Sequence, residues 1–152
     1  MEATIRMAET ADFPEILELF REFSVYQKTP EKVKNSIERM SAEKEYFHCF
    51  VAETPEKKII GYTTWFFTYY TWSGKGMYID DLYVKPEYRR TGIGKMLMNR
   101  VIDQARESGC HKLRWQVSGW NKPAIAFYQK MGAEIDDIEK NCDLNLDRVF
   151  TK

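Results

Sequence analysis

The segment YIDDLYV, residues 78–84, runs directly into KPEYRRTGIGK, residues 85–95, and this junction decides the fold. The first part has the composition of a strand that ends before Pro86. After the two glycines, apolar residues recur at helical spacing until Gly109. A strand, a glycine-bearing loop and a helix therefore follow one another. The backbone N–H groups of such a loop, together with the positive end of the helix dipole, predict an anion site.

Two common phosphate-binding motifs do not fit this junction. It lacks the GxxxxGK[ST] pattern of ATP-hydrolysing loops, and it is not the GxGxxG pattern of dinucleotide-binding units. Arg89, Arg90 and Lys95 add positive charge, while Gly92 and Gly94 allow a phosphate to approach the backbone. From these residues alone, an ordinary helix start with a glycine turn remains an equal alternative to a phosphate site.

Composition limits the possible partners and the compartment. The 23 basic and 23 acidic residues balance, which argues against a nucleic-acid partner that would require an excess of basic charge. The three cysteines lie far apart and outside any CxxC pattern, and the two histidines are isolated. These features predict a reducing, cytoplasmic location and no metal site. The chain shows no apolar leader and no long apolar stretch, so we expect neither a signal peptide nor a membrane partner.

The remaining periodicities predict one α/β domain over residues 1–152 with a mixed sheet. Seven aromatic residues between Tyr62 and Trp72 indicate a long strand that is buried on at least one face. The predicted elements are a strand over Ala3–Ala8, a helix from Thr10 or Asp12 through Phe23, a helix over Pro30–Met40, strands over Tyr46–Glu53, Lys58–Trp72 and Lys75–Val84, a helix over Gly92–Ser108, a strand over His111–Ser118, a short helix between Asn121 and Gly132, and closing strands over Ala133–Ile138 and Cys142–Phe150.

Two motifs in register resemble a known family. Arg89-x-x-Gly92-x-Gly94 resembles the signature loop of the GNAT N-acetyltransferase superfamily, which grips the pyrophosphate of acetyl-CoA. The run WNKPAIAFYQKMGA, residues 120–133, resembles a second motif of the same superfamily. Residues 46–53 and 67–75 resemble its diamine (spermidine/spermine) branch, which includes thialysine acetyltransferases. The resemblance implies acetyl-CoA as cofactor, a homodimer, and a GNAT-type fold whose mostly antiparallel sheet of about six to seven strands is flanked by about four helices.

The resemblance also assigns roles to individual residues. Asp80 is implied to accept the amine proton through water, Asp81 to attract a cationic substrate, and Tyr128 to protonate the leaving thiolate. The implied cofactor contacts are Leu82, Tyr83, Val84, Arg89, Arg90, Thr91, Gly92, Ile93, Gly94, Lys95, Asn121 and Tyr128. The implied substrate contacts besides Asp81 are Tyr26, Gln27, Tyr69 and Trp72.

Structural roles remain open for the same residues. Neighbouring strand residues point to opposite faces, so only one of Asp80 and Asp81 faces a cleft unless a bulge intervenes. Both acids could instead be solvated at a strand edge. Tyr128 lies on an apolar helical face and could serve packing alone. Asn121 is also a good helix cap, a role that is compatible with cofactor contact.

The sequence defines the substrate less closely than the cofactor. Gln27 and Tyr70 occupy positions where the resemblance implies acids in polyamine acetyltransferases. We therefore expect a small primary amine, with a diamine- or thialysine-like compound fitting at least as well as spermidine. The alternatives are a protein-lysine or N-terminal acetyltransferase, a non-catalytic acyl-CoA sensor, or a plain interaction domain.

Overall fold

Five strands form one sheet in the order in which they occur along the chain, β1-β2-β3-β4-β5. The computed structural model describes residues 2–147. The elements in chain order are β1 (Thr4–Met7), α1 (Phe13–Tyr26), α2 (Ile37–Ala42), β2 (His48–Glu53), β3 (Ile59–Tyr70), β4 (Gly74–Val84), α3 (Ile93–Glu107), β5 (Lys112–Trp115) and α4 (Lys122–Lys130).

The sheet is mixed, as predicted. Strands β1 to β4 pair antiparallel with their neighbours, whereas β5 pairs parallel with β4. A tight turn suffices to join β3 to β4, but a parallel return requires a crossover, which α3 supplies. The α/β class and the four α-helices are confirmed, and the sheet contains five strands among the described residues, fewer than predicted.

The sheet has a separate apolar core on each face. On one face, α1 and α2 bury an apolar cluster against the sheet, and strand residues Val51, Tyr62 and Tyr83 belong to it. On the other face, α3 buries the side chains of Ile93, Leu97, Met98, Val101 and Ala105. Two helical layers therefore leave the edges of the sheet, and the ends of its strands, as the places where a site can form.

The predicted helix over Pro30–Met40 is wrong in its first part. Residues Pro30–Lys32 form only a single 3-10 turn, and Val33 is extended. Helix α2 begins after Ser36, whose hydroxyl accepts a hydrogen bond from the backbone N–H of Arg39. Ser36 is therefore an N-cap, and such a cap fixes a helix start more strongly than the thin apolar stripe that suggested a longer helix.

The predicted strand over Ala133–Ile138 is also wrong, and no strand forms between Cys142 and Asp147. The backbone N–H of Ile138 donates to the side chain of Asp136, and that of Asp147 donates to the side chain of Asn145. Such local hydrogen bonds compete with strand pairing. The rest of the predicted last strand, residues 148–150, lies outside the described residues.

The described residues fall into two compact units, divided between Gln116 and Val117. The first unit contains all five strands and helices α1 to α3. The second contains α4, which begins after the predicted cap Asn121.

Candidate functional site

A β-bulge in β4 lies at the two neighbouring acids. Thr64 of β3 pairs with Asp81, and the next residue of β3, Trp65, pairs with Ile79, so Asp80 is the extra residue. Side chains opposite each other share a face of the sheet, and the insertion of one residue places Asp80 and Asp81 on the same face. This is the face that α1 covers, because Tyr62, two residues before Thr64, belongs to its core. The bulge therefore removes the restriction that only one acid can face a cleft.

Asp81 is held by three consecutive residues of β3. The Tyr62 hydroxyl donates to its Oδ2 at 2.8 Å, and the Thr63 hydroxyl donates to its backbone carbonyl at 2.8 Å. Its backbone N–H donates to the Thr64 hydroxyl at 3.1 Å. Burial raises the pKa of the Asp81 carboxyl group to about 6, the charge of Asp80 adds to this rise, and the Tyr62 hydrogen bond opposes it.

Asp80 has a different environment from its neighbour. Asp80 is an exposed residue. The protein atoms around its carboxylate nevertheless remove enough water to raise the pKa of Asp80 above the ordinary value. One acid is thus fixed by hydrogen bonds, while the other is open to solvent. An open carboxylate can exchange a proton with water, whereas a fixed one is suited to hold a cation.

Beyond the bulge, one edge of β4 has no strand partner among the described residues. Strand β5 pairs with β4 only from Gly76 to Ile79. The backbone N–H of Lys85 donates to Ile60 on the β3 side, so by alternation the amides of Leu82 and Val84 face the open edge. N–H groups at such an edge could donate hydrogen bonds to a ligand oxygen on which negative charge develops.

The loop between β4 and α3 has the predicted anion-binding form. Gly92 caps α3 with φ 88° and ψ 1°, a left-handed conformation that favours glycine. Because Ile93, Gly94 and Lys95 begin the helix, their N–H groups have no carbonyl partners within it and can donate to an anion. Arg90, Thr91 and Lys95 are exposed. These residues fit the pyrophosphate of acetyl-CoA, which would be held by backbone N–H groups and positive charge.

Arg89 contacts residues of β4 and α1. Its Nε donates to the carbonyl of Val84 at 2.9 Å, and its guanidinium lies 4.6 Å from the ring centroid of Tyr26 and 5.4 Å from that of Tyr83. Arg89, predicted to contact the cofactor, and Tyr26, predicted to contact the substrate, are therefore neighbours. Gln27 follows directly at the end of α1 and is half-buried.

Glu22 joins α1 to the end of β4. Its carboxylate accepts from the Tyr83 hydroxyl at 3.1 Å and pairs with Lys85 Nζ at 2.8 Å. This bridge stabilises the end of β4 next to the open edge. Glu22 was not predicted as a site residue, because nothing in the helical pattern distinguishes it from other solvated acids.

Tyr69 and Trp72 lie at the far end of the β3–β4 hairpin. Tyr69 is five residues beyond Thr64, a separation of about 17 Å along an extended strand. Tyr69 is 75% exposed and Trp72 fully exposed. The structure therefore does not place Tyr69 and Trp72 next to Asp81.

The second unit contains the two remaining predicted site residues. Asn121 Oδ1 accepts from the backbone N–H of Ala124 at 3.4 Å, so this residue caps α4. Tyr128 is nearly buried, and burial raises the pKa of its phenol to about 12. The phenol is therefore protonated at neutral pH, as a general acid must be before it acts.

Residues 2–147 contain no group of three or more His, Cys, Asp or Glu side chains arranged to hold a metal ion. None of the helices in that range is both long and apolar enough to cross a bilayer.

Sequence comparison relates this chain to known proteins. The sequence model of the Acetyltransferase (GNAT) family matches residues 13–133. A thialysine N-epsilon-acetyltransferase of Bos taurus is 40% identical over 141 residues, covering 86% of this chain and 83% of its own. A human spermidine/spermine N(1)-acetyltransferase-like protein 1 is 31% identical over 85% of this chain, which is 20% of that longer protein.

Solved structures agree with the sequence relatives. An aminoglycoside acetyltransferase from an uncultured soil metagenomic sample superposes with a TM-score of 0.79 at 25% identity, covering 94% of this chain and 97% of its own. The predicted superfamily and its thialysine and diamine branch are confirmed. The chain is an N-acetyltransferase and belongs to the Acetyltransferase (GNAT) family.

Proposed function

We propose that this enzyme takes the acetyl group from acetyl-CoA and transfers it to the primary amine of a small cationic acceptor, which attacks the thioester directly. The observation that carries the proposal is the placement of the Asp80–Asp81 pair. The bulge holds both acids on one face, immediately before the open strand edge and the anion-binding loop. A cationic acceptor and an anionic cofactor would therefore meet along a single strand.

The acids address the main chemical obstacle to amine acetylation. A primary amine with a pKa of about 10.4 is almost entirely protonated at pH 7, which adds roughly 4–5 kcal/mol to the barrier. Asp81 would hold the ammonium group, and Asp80, which is open to solvent, would accept its proton through water. The family resemblance leads us to expect a glutamate at position 80, and the aspartate is one methylene shorter, which makes a water relay more necessary.

The remaining residues act on the thioester side. The amides of Leu82 and Val84 would stabilise charge on the thioester oxygen. The loop of residues 89–95 would bind the pyrophosphate by its N–H groups and positive charge. For the second unit the proposal rests on the motif: Asn121 would contact the cofactor arm, and Tyr128 would protonate the thiolate as it leaves.

Charge on the same sheet face favours an acceptor that also carries a carboxylate. Arg114 of β5 pairs with Tyr78, two residues before Asp80, and lies 4.8 Å from the ring centroid of Tyr70. Lys112 lies 5.3 Å from the same ring. Two cations here would repel the distal ammonium of a polyamine and attract a carboxylate. Thialysine and lysine meet this condition, whereas spermidine does not.

A thiol-release assay tests the proposal. Purified enzyme and acetyl-CoA are mixed with thialysine, lysine, putrescine, spermidine or a lysine peptide, and kcat and KM are measured for each. We expect turnover with small amines, a raised KM in Asp81→Asn and a lowered kcat in Asp80→Asn. Asp103→Asn, which removes an exposed acid from α3, is the control for loss of charge.

Each alternative gives a different outcome in the same assay. Turnover of the peptide but of no small amine would indicate a protein acetyltransferase. Binding of acetyl-CoA in a thermal-shift experiment without turnover of any amine would contradict catalysis and indicate a sensor. No thermal shift with acetyl-CoA would contradict the cofactor assignment itself.

Assembly and location are further parts of the proposal. We infer a homodimer and a cytoplasmic location, from the branch resemblance and from the cysteine pattern respectively. Light scattering coupled to size-exclusion chromatography measures the mass directly, and a mass of one chain would contradict the dimer.

A further inference from the structure

Tyr62 is a buried tyrosine whose hydroxyl group has a polar partner at the site. Its side chain is fully buried in the core beneath α1. The ring packs against Phe20 at 5.2 Å and Tyr83 at 6.2 Å between centroids. Packing accounts for the ring, and a phenylalanine would satisfy it equally well. The hydroxyl, which donates to Asp81 Oδ2, requires a separate explanation.

The hydroxyl acts together with two neighbouring threonines. Thr63 and Thr64, both buried, bond to the carbonyl and the N–H of Asp81. Three successive side chains of β3 thus fix the backbone and the carboxylate of one residue, at the point where the bulge interrupts regular pairing. A bulge leaves ladder groups unpaired, so these side chains replace the missing strand contacts.

We propose that Tyr62 is a positioning residue, whose hydroxyl keeps the Asp81 carboxylate ionised and in one orientation to receive the ammonium group of the acceptor. This inference rests on the proposed function of Asp81. It also explains why two adjacent acids take different roles, since the fixed acid holds the cation and Asp80 remains open to solvent.

The other charged and titratable groups near Asp81 do not favour its ionised carboxylate, whereas the Tyr62 hydroxyl does. Asp80 raises the pKa of Asp81, and burial raises it further. From β2, the thiol of Cys49 has a pKa raised far above its usual range by burial, so it is neutral. The acids Glu22 and Asp12 on the helical side are paired with Lys85 and Arg6 respectively.

Tyr62→Phe tests the proposal, because it removes the hydroxyl and keeps the ring. We expect the pKa of Asp81 to rise by about one unit, since a hydrogen bond to a charged group is lost. Because kcat/KM reports the free enzyme, its acid limb should move upward by the same amount. Activity should fall roughly tenfold at pH 5 and return towards the wild-type level above pH 8.

Tyr83→Phe is the matched control, because Tyr83 is the cross-strand partner of Tyr62 and its hydroxyl donates to Glu22 instead. The quantity compared is the pH at which the acid limb of the kcat/KM profile reaches its midpoint. In Tyr83→Phe this pH should equal that of the wild type. The carboxyl resonance of Asp81, followed by NMR across the same pH range in the ligand-free protein, supplies a readout that requires no turnover.

The outcomes separate the inference from the proposed function. A folded Tyr62→Phe variant whose Asp81 resonance titrates as in the wild type overturns the inference. A uniform loss of activity at every pH, with an unchanged titration, overturns it too, because it indicates packing alone. If the wild type turns over no amine, the proposed function fails, while the NMR titration still shows whether Tyr62 controls the charge of Asp81.

Discussion

The two glycines of the loop at residues 85–95 should respond in opposite directions to the same substitution. Gly92 has a φ of 88°, and an added Cβ would have no atom within 4 Å, so only backbone strain opposes Gly92→Ala. Gly94 lies in the first turn of α3, where an added Cβ would meet Val84 Cγ2 at an ordinary 3.8 Å. Gly92→Ala therefore tests backbone strain, and Gly94→Ala tests whether a ligand approaches the first turn of α3 closely.

The expected magnitudes follow from these two environments. A left-handed conformation costs an L-residue roughly 1–2 kcal/mol, so Gly92→Ala should lower the free energy of unfolding by about 1 kcal/mol. Alanine is favoured over glycine inside a helix by roughly 0.5–1 kcal/mol, so Gly94→Ala should raise stability by up to that amount. The two variants should thus differ in unfolding free energy by about 2 kcal/mol.

Cofactor affinity provides the second measurement. If the pyrophosphate approaches the first turn of α3, the methyl group of Gly94→Ala should weaken acetyl-CoA binding although the protein becomes more stable. Urea unfolding without cofactor gives the stabilities, and isothermal titration calorimetry gives the acetyl-CoA Kd. Wild-type affinity in Gly94→Ala would refute close approach at this position. An undiminished stability of Gly92→Ala would refute the requirement for a left-handed residue.

Three further variants test separate parts of the site. Tyr128→Phe should fold and bind acetyl-CoA nearly as the wild type does, yet lose most of its turnover; equal turnover would remove Tyr128 from the mechanism. Arg114→Gln should lower kcat/KM for lysine more than for cadaverine, which lacks the carboxylate, and an unchanged ratio between these substrates would contradict the carboxylate contact. Asp80→Asn removes a neighbouring charge and should lower the pKa of Asp81 in the NMR titration, the reverse of the effect of Tyr62→Phe.

The sequence predicts best those features that depend only on residues close together in the chain. The prediction of helix α3 over Gly92–Ser108 was close to the observed Ile93–Glu107, because its apolar stripe begins after the glycine-bearing loop and ends before Gly109. The cap Asn121 was likewise predicted, since a side-chain acceptor followed by a proline in the first turn is a local pattern. The residues of the loop at 85–95 are consecutive, so their common placement required no tertiary information.

The remaining features depend on pairing between distant segments. The bulge at Asp80 arises from the register of β3 against β4, and no local pattern reports that register. Tyr62 was therefore missed, because its ring looks like the other aromatic residues of the strand until its partner across the sheet is known. Exposed Ile138, with a local hydrogen bond to Asp136, shows the converse case, in which apolar residues suggested a strand that does not form.

The proposed division of roles between Asp80 and Asp81 rests on solvent access more than on basicity. Judged by pKa alone, Asp81 at about 6 would be the better proton acceptor at neutral pH. Its Oδ2, however, already accepts the Tyr62 hydrogen bond, and its backbone is fixed on both sides. Asp80 has the exposed surface that a water relay requires. A shared proton can pass between neighbouring carboxylates, and we propose that Asp80, the more exposed of the two, passes it on to water.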